Sequence, residues 1–211
     1  MKDLISNNII ARKLKETDVY FRYRRYVKRE IYNRRIEFVD SIFPKNGVGA
    51  ELGVLNGHFS QILLDVAKPK KLHLVDPWYF LEPHWEWANG NKSTVRAVRT
   101  ILKTYKKEIE AGQVLVHVDF DIPVLEAFAD DYLDWAYVDS SHQYEHTRQE
   151  LNILKHKVKN GGIIAGDDYN SDPNHVHHGV LLAVDEFVKE NGLELVYANK
   201  ENLQWAIRNK K

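Results

Sequence analysis

Three carboxylates close two short apolar runs: Asp139 in Tyr-Val-Asp-Ser-Ser-His-Gln-Tyr, and Asp167 with Asp168 in Gly-Gly-Ile-Ile-Ala-Gly-Asp-Asp-Tyr. If the runs are neighbouring strands of one sheet, the acids project side by side, and like-charge repulsion demands a cation or a proton among them. No Arg or Lys lies in either motif. A hard divalent ion such as Mg²⁺ would meet the demand, because it takes oxygen ligands and keeps positions for water and substrate. The expected metal set is therefore Asp139, Asp167 and Asp168. His142 lies three residues past Asp139. With an ordinary pKa near neutrality it is a candidate general base, working beside Asp139 on an acceptor proton. The alternative is a histidine that opens a helix and bonds Asp139 or backbone. His175, His177 and His178 follow on the same rim, and His175 reads as a substrate contact in preference to a metal ligand.

A second constellation lies earlier in the chain. In Gly49-Ala-Glu-Leu-Gly-Val-Leu-Asn-Gly57, Gly53 and Gly57 allow close backbone approach at a strand-to-helix turn, where open α/β sheets bind ligands. Leu55 stands between them, and neither the G-x-G-x-x-G of dinucleotide sites nor the G-K-[ST] of a P-loop is present. Glu51, just before the turn, would repel a phosphate but attract an ammonium or sulfonium. Asp76, 25 positions after Glu51, ends the next strand and can accept hydrogen bonds from ribose hydroxyls. The alternatives are a plain tight turn at the glycines and an Asp76 that caps the loop before Pro77. Beyond Pro77, Trp78, Trp85 and Trp87 crowd one loop with Glu82, His84 and Glu86. Flat aromatic faces with polar neighbours suit a sugar or aryl ring, so Trp85 and Trp87 are candidate acceptor contacts. An aromatic cluster packed under the amino-terminal helices is the alternative.

The elements that must position these residues can be marked from periodicity. Strands are predicted at Val48 to Leu52, Lys71 to Val75, Gln113 to Val118, Leu133 to Val138 and Gly162 to Ala165, alternating with helices as in a parallel sheet. Helix faces are predicted from Phe59, Ile62, Leu63 and Val66; from Val95, Val98, Leu102, Tyr105 and Ile109; and from Thr147, Leu151, Leu154 and Val158. A last helix carries Val180, Val184, Phe187 and Val188 and stops at Asn191-Gly192. Leu193 to Ala198 and Leu203 to Ile207 are joined by too few residues for a parallel crossover, so they should form an antiparallel hairpin. Residues 1–45 differ from the rest, with Tyr20, Tyr23, Val27 and Ile31, then Tyr32, Ile36, Val39 and Phe43, at helical spacing. They predict a helical cap or a substrate-gripping lid, and residues 46–211 the main domain.

Composition narrows the classes. The 211 residues carry 30 basic and 30 acidic side chains, so net charge supplies no pull toward nucleic acid or anionic membrane. The absence of cysteine excludes disulfides, thiolate metal sites and thiol nucleophiles. Residues 1–10 do not read as a signal peptide, and no apolar run approaches a membrane span, so a cytoplasmic location is expected. Neither a nucleic acid nor a membrane is expected as partner, and a homo-oligomer is left open.

In this order on this fold, Glu51, Gly53, Gly57 and Asp76 resemble the class I S-adenosylmethionine-dependent methyltransferases. The likeness spans roughly Pro44 to Arg208 and implies a Rossmann-like α/β domain, with a mostly parallel seven-stranded sheet, a carboxy-terminal antiparallel hairpin and an amino-terminal helical cap. By that resemblance Glu51 lies near the methionyl amine, Gly53 and Gly57 near the cofactor backbone, and Asp119 with Phe120 near the adenine. Trp78 is a further candidate for the adenine face. Leu55 departs from the pattern where many members have another Gly. The 28 and 29 positions separating Asp139 from Asp167 and Asp168 are similar to the spacing in metal-dependent catechol-type enzymes. Asp139-x-x-His142-x-Tyr144, Gly161-Gly162 and Ala183-Val-Asp-Glu-Phe187 resemble more closely the macrocin O-methyltransferase group. The activity so implied is methyl transfer to a hydroxyl of a small molecule or glycosylated metabolite with Mg²⁺ assistance. The rivals are a metal-independent methyltransferase using His142, and a nucleotide-binding module without catalysis.

Overall fold

A computed structural model describes residues 29–78, 93–199 and 201–211. The first described helix, α1 (Arg29–Ile42), leads into strand β1 (Val48–Leu52). A short helix α2 (His58–Ile62) runs on into a π-helical turn, Leu63–Ala67, before β2 (Lys71–Val75). Helices α3 (Ser93–Thr104) and α4 (Lys106–Glu110) precede β3 (Val114–His117), and α5 (Asp121–Ala127) precedes β4 (Leu133–Val138). Then follow α6 (Tyr144–Lys157), β5 (Val158–Gly166), α7 (His178–Asn191), β6 (Glu194–Ala198) and β7 (Trp205–Arg208).

The seven strands form one sheet in the order β3-β2-β1-β4-β5-β7-β6. Strands β1 to β5 pair in parallel, whereas β7 runs antiparallel between β5 and β6. The predicted carboxy-terminal hairpin is therefore present, and the sheet is the expected Rossmann-like one, mostly parallel with an antiparallel ending. Strand order reverses between β1 and β4, and the loops leaving those two strands flank the crevice where open α/β sheets take their ligands.

Both faces of the sheet are covered. Phe38, Val39 and Phe43 from the α1 region join Phe59, Leu63, Ile101, Trp135 and Tyr137 on one side. Val124, Leu125, Leu151, Leu154, Val184 and Phe187 cover the other. At about 1.5 to 3 kcal/mol for each large apolar side chain fully buried, these layers offset much of the entropy lost on folding. Phe38 of α1 meets the Tyr197 ring at 4.7 Å and is buried with Val39 in the same cluster as Trp135 and Tyr137, so α1 shares the core of the main domain.

Two predicted helix faces are rotated. On α1, Ile36 is 40% exposed and Phe38 takes its place inward. On α3, Leu102 is 49% exposed, and Ala97 and Ile101 are buried with Val98 and Tyr105. In both helices periodicity located an apolar stripe but misjudged its centre. On α1 the cause is a polar residue, Arg35, that turns inward.

Candidate active site

The turn between β1 and α2 is held from three directions. Asp76 Oδ2 accepts the backbone N–H groups of Val54 and Leu55 at 3.0 and 2.9 Å, and Oδ1 accepts that of Trp78 at 2.7 Å. Trp78, fully buried, donates its Nε1–H to the Leu55 carbonyl at 2.9 Å. Tyr105 donates its hydroxyl to the Gly57 carbonyl at 2.6 Å. Gly53 and Gly57 both lie at positive φ, 83° and 71°. Leu55 also lies in the left-handed region, at 47°, which gives a physical reason for a glycine at that position elsewhere in such turns. Trp78 thus braces the turn, and Asp76 caps it with three of its four acceptor sites, leaving one on Oδ1 for a further donor.

Glu51 is buried at the end of β1, with the Ser60 hydroxyl donating to Oε2 at 2.5 Å. Burial pushes its carboxyl up to about 8, despite that hydrogen bond. A cation brought alongside would restore its charge. After β3, Asp119 and Phe120 are exposed at the same edge, with the Asp119 carboxylate accepting the Phe120 N–H at 2.8 Å.

Beside this turn, the loops after β4 and β5 bring His142, Asp168 and His177 together. His142 Nδ1 lies 3.2 Å and His177 Nδ1 2.8 Å from Asp168 Oδ2, and the two rings stack at 4.4 Å. His142 and Asp168 are both non-glycine residues at positive φ, 59° and 63°. Such conformations cost about 1 to 3 kcal/mol each and persist where the surroundings hold a side chain in one place. Burial, and His177 alongside, lower the pKa of His142 against the pull of Asp168, so its ring is neutral at pH 7. With the Nδ1 proton given to Asp168, Nε2 is the bare acceptor. It lies 3.8 Å from Asp139 Oδ1, too far for a hydrogen bond. His175 is adjacent, its ring edge-on to His177 at 5.3 Å.

The three aspartates do not converge as the spacing predicted. Asp167 is buried and ion-paired to the guanidinium of Arg35, contributed from α1, more than 130 positions away in sequence. Burial and the neighbouring Asp167, Asp168 and Glu51 carboxylates raise Asp139 well above the usual carboxylate range, while Arg35 opposes them. Among the described residues, two groups bring three ligand atoms within 4.8 Å of one another: His142, Asp168 and His177, and separately Asp121, His146 and Glu150. The residues present do not fit a Mg²⁺ ion held by Asp139, Asp167 and Asp168, because Arg35 already neutralises Asp167 and two imidazoles claim Asp168. Sequence reasoning looked for a cation only inside the two motifs and so passed over Arg35. Trp85 and Trp87 lie outside the described residues.

With this geometry in view, the comparisons decide the family. Residues 50–169, more than half of the chain, match the family described as a methyltransferase domain. The chain belongs to that family. The match runs from β1 through the end of β5 and so contains the glycine turn, Asp76 and the His142 and Asp168 pair. No curated protein matches the chain in sequence. Solved structures share the fold. A candidate rRNA methylase from Clostridium thermocellum superposes with a TM-score of 0.60 at 12% identity, over 85% of this chain and 96% of that one. A candidate methyltransferase from Streptococcus mutans, in complex with SAH (S-adenosylhomocysteine), gives 0.51 at 15% identity, over 83% and 94%. The fibrillarin pre-rRNA processing protein of Methanococcus jannaschii gives 0.53 at 16% identity, over 80% of this chain and 69% of that one. At these identities the methyltransferase domain and its neighbours have a fold in common and nothing finer.

Proposed function

We propose that the protein methylates a hydroxyl of a small-molecule or glycosylated acceptor in the cytoplasm, using S-adenosylmethionine and His142 as general base. The observation that carries this reading is the His142 and Asp168 pair at the β4 and β5 ends, next to the glycine turn. Bound S-adenosylmethionine supplies a methyl group activated by its sulfonium. Glu51 binds the methionyl ammonium, and the Gly53 to Gly57 turn admits the ligand backbone. Asp76 accepts from a ribose hydroxyl, and Asp119 with Phe120 flank the adenine. Asp168 fixes the tautomer of His142, whose Nε2 takes the hydroxyl proton, and Asp139 borders the same space. Trp85, Trp87 and His175 are assigned to the acceptor. Orientation of the two reactants supplies the larger part of the acceleration, about 7 to 11 kcal/mol in well-aligned systems.

Two RNA-related proteins stand among the fold neighbours, so the small-molecule acceptor rests on the balanced charge and the aromatic loop. None of the described helices is long and apolar enough to cross a membrane.

Calorimetry tests the cofactor: S-adenosylhomocysteine should bind at micromolar levels and NAD weakly or not at all. Tighter binding of NAD would sink the methyltransferase reading. A second measurement concerns the metal. Because Arg35 and the imidazoles occupy the carboxylates, turnover should persist in excess EDTA. Loss of activity on chelation, with recovery on added Mg²⁺, would restore the metal-assisted mechanism.

A further inference from the structure

Helix α1 is fastened to the ligand-binding edge at several points. The Tyr32 hydroxyl lies 3.4 Å from His58 Nδ1 at the start of α2, and Arg34 pairs with Glu201 at 2.8 Å between β6 and β7. Between these, Arg35 pairs through Nη2 with Asp167, and its guanidinium lies 5.6 Å from the centroid of the Phe59 ring. Phe59 is two residues past Gly57, so the guanidinium spans the gap between the glycine turn and the end of β5. Its charge reaches Glu51, Asp139 and Asp167 alike.

The methionyl end of S-adenosylmethionine carries an ammonium and a carboxylate on one carbon, close to the sulfonium. Glu51, Asp139 and Asp167 suit the two cationic groups but would repel the carboxylate, which needs a cation of its own at this end of the crevice. Arginine suits that task because its planar guanidinium carries five N–H donors and can serve two carboxylates at once. Asp167 is itself fixed, its Oδ1 accepting the Asp168 backbone N–H at 3.0 Å, so it holds Arg35 in place before any ligand arrives. Resting on the cofactor assignment above, we infer that Arg35 binds the methionyl carboxylate of the cofactor. The amino-terminal helix is thereby part of the cofactor site.

The probes are S-adenosylhomocysteine and its decarboxylated analogue, identical but for the missing carboxylate, titrated into the intact protein. The unaltered protein should prefer S-adenosylhomocysteine by roughly 10- to 100-fold, the range for a hydrogen bond to a charged group. Arg35→Gln should bring the two affinities together by weakening S-adenosylhomocysteine alone. Arg35→Lys, which keeps the charge but loses the fork, should retain part of the preference. Equal affinities in the unaltered protein overturn the assignment, whether or not Arg35→Gln folds. So does an Arg35→Gln protein that binds both ligands more weakly by the same factor, which marks a purely structural ion pair. If neither ligand binds the unaltered protein, the cofactor assignment itself fails. If S-adenosylhomocysteine binds without discrimination, only the role of Arg35 does.

Discussion

Replacing His142 by Gln should lower kcat by roughly 100- to 10,000-fold, the usual contribution of a positioned general base, and leave S-adenosylhomocysteine affinity largely intact. Gln keeps a hydrogen-bonding group toward Asp168 but offers no nitrogen that can take a proton. Asp168 Oδ2, His177 and Asp139 are the charged or titratable groups facing this ring. Burial and His177 win over Asp168 and lower the His142 pKa. The active form is the neutral one. kcat/KM should therefore stay level from alkaline pH down past the ordinary histidine value of about 6.5 and fall only below it. The fall should disappear in the Gln variant. An acid limb above 6.5, or a Gln variant with full turnover, would remove His142 from the chemistry. Melting temperatures for both proteins separate a lost base from a lost fold.

Gly53→Ala should distort the cofactor turn and destabilise the whole protein. A Cβ built on Gly53 would lie 1.9 Å from the Asp139 carbonyl oxygen and 2.5 Å from its carbonyl carbon. Both are backbone atoms at the switch point between β1 and β4, so no side-chain rotation relieves the contact. Asp139 N already donates to the Leu52 carbonyl at 2.8 Å, and Gly53 N to that of Val75 at 2.9 Å, which ties three strands to the position. A side chain at a φ of 83° adds its own strain. Left-handed strain of about 1 to 2 kcal/mol and overpacking of about 1 to 3 kcal/mol together remove a large share of the roughly 5 to 15 kcal/mol that holds an ordinary domain. The expected result is a melting temperature lowered by roughly 4 to 20 °C, at about 2 to 4 °C per kcal/mol for a chain of this size. Cofactor binding should be lost even in whatever fraction stays folded. A Gly53→Ala protein with an unchanged melting temperature and intact S-adenosylhomocysteine binding would overturn the claim that the backbone around Gly53 cannot give way.

The sequence by itself determined the strands, their direction and the antiparallel ending, because those follow from short β-branched runs, helical spacing and a connection too short to cross over. It also located the glycine turn with Glu51 and Asp76, since these residues close consecutive predicted strands and their types limit the ligand. Only the tertiary structure decided how the acids are used. Asp167 and Asp168 are adjacent in sequence, yet one pairs with Arg35 from α1 and the other with His142 and His177. Nothing local signals this. An inward-facing arginine on a helix of mixed charge has the same letter as its exposed neighbours Arg29 and Arg34. Hydrophobic periodicity is blind to it, since a buried charge is tolerated only through a distant partner. The same reason explains why Ile36 and Leu102 were expected inside: spacing along a helix marks which residues share a face, while the neighbour that the face meets is set by the fold.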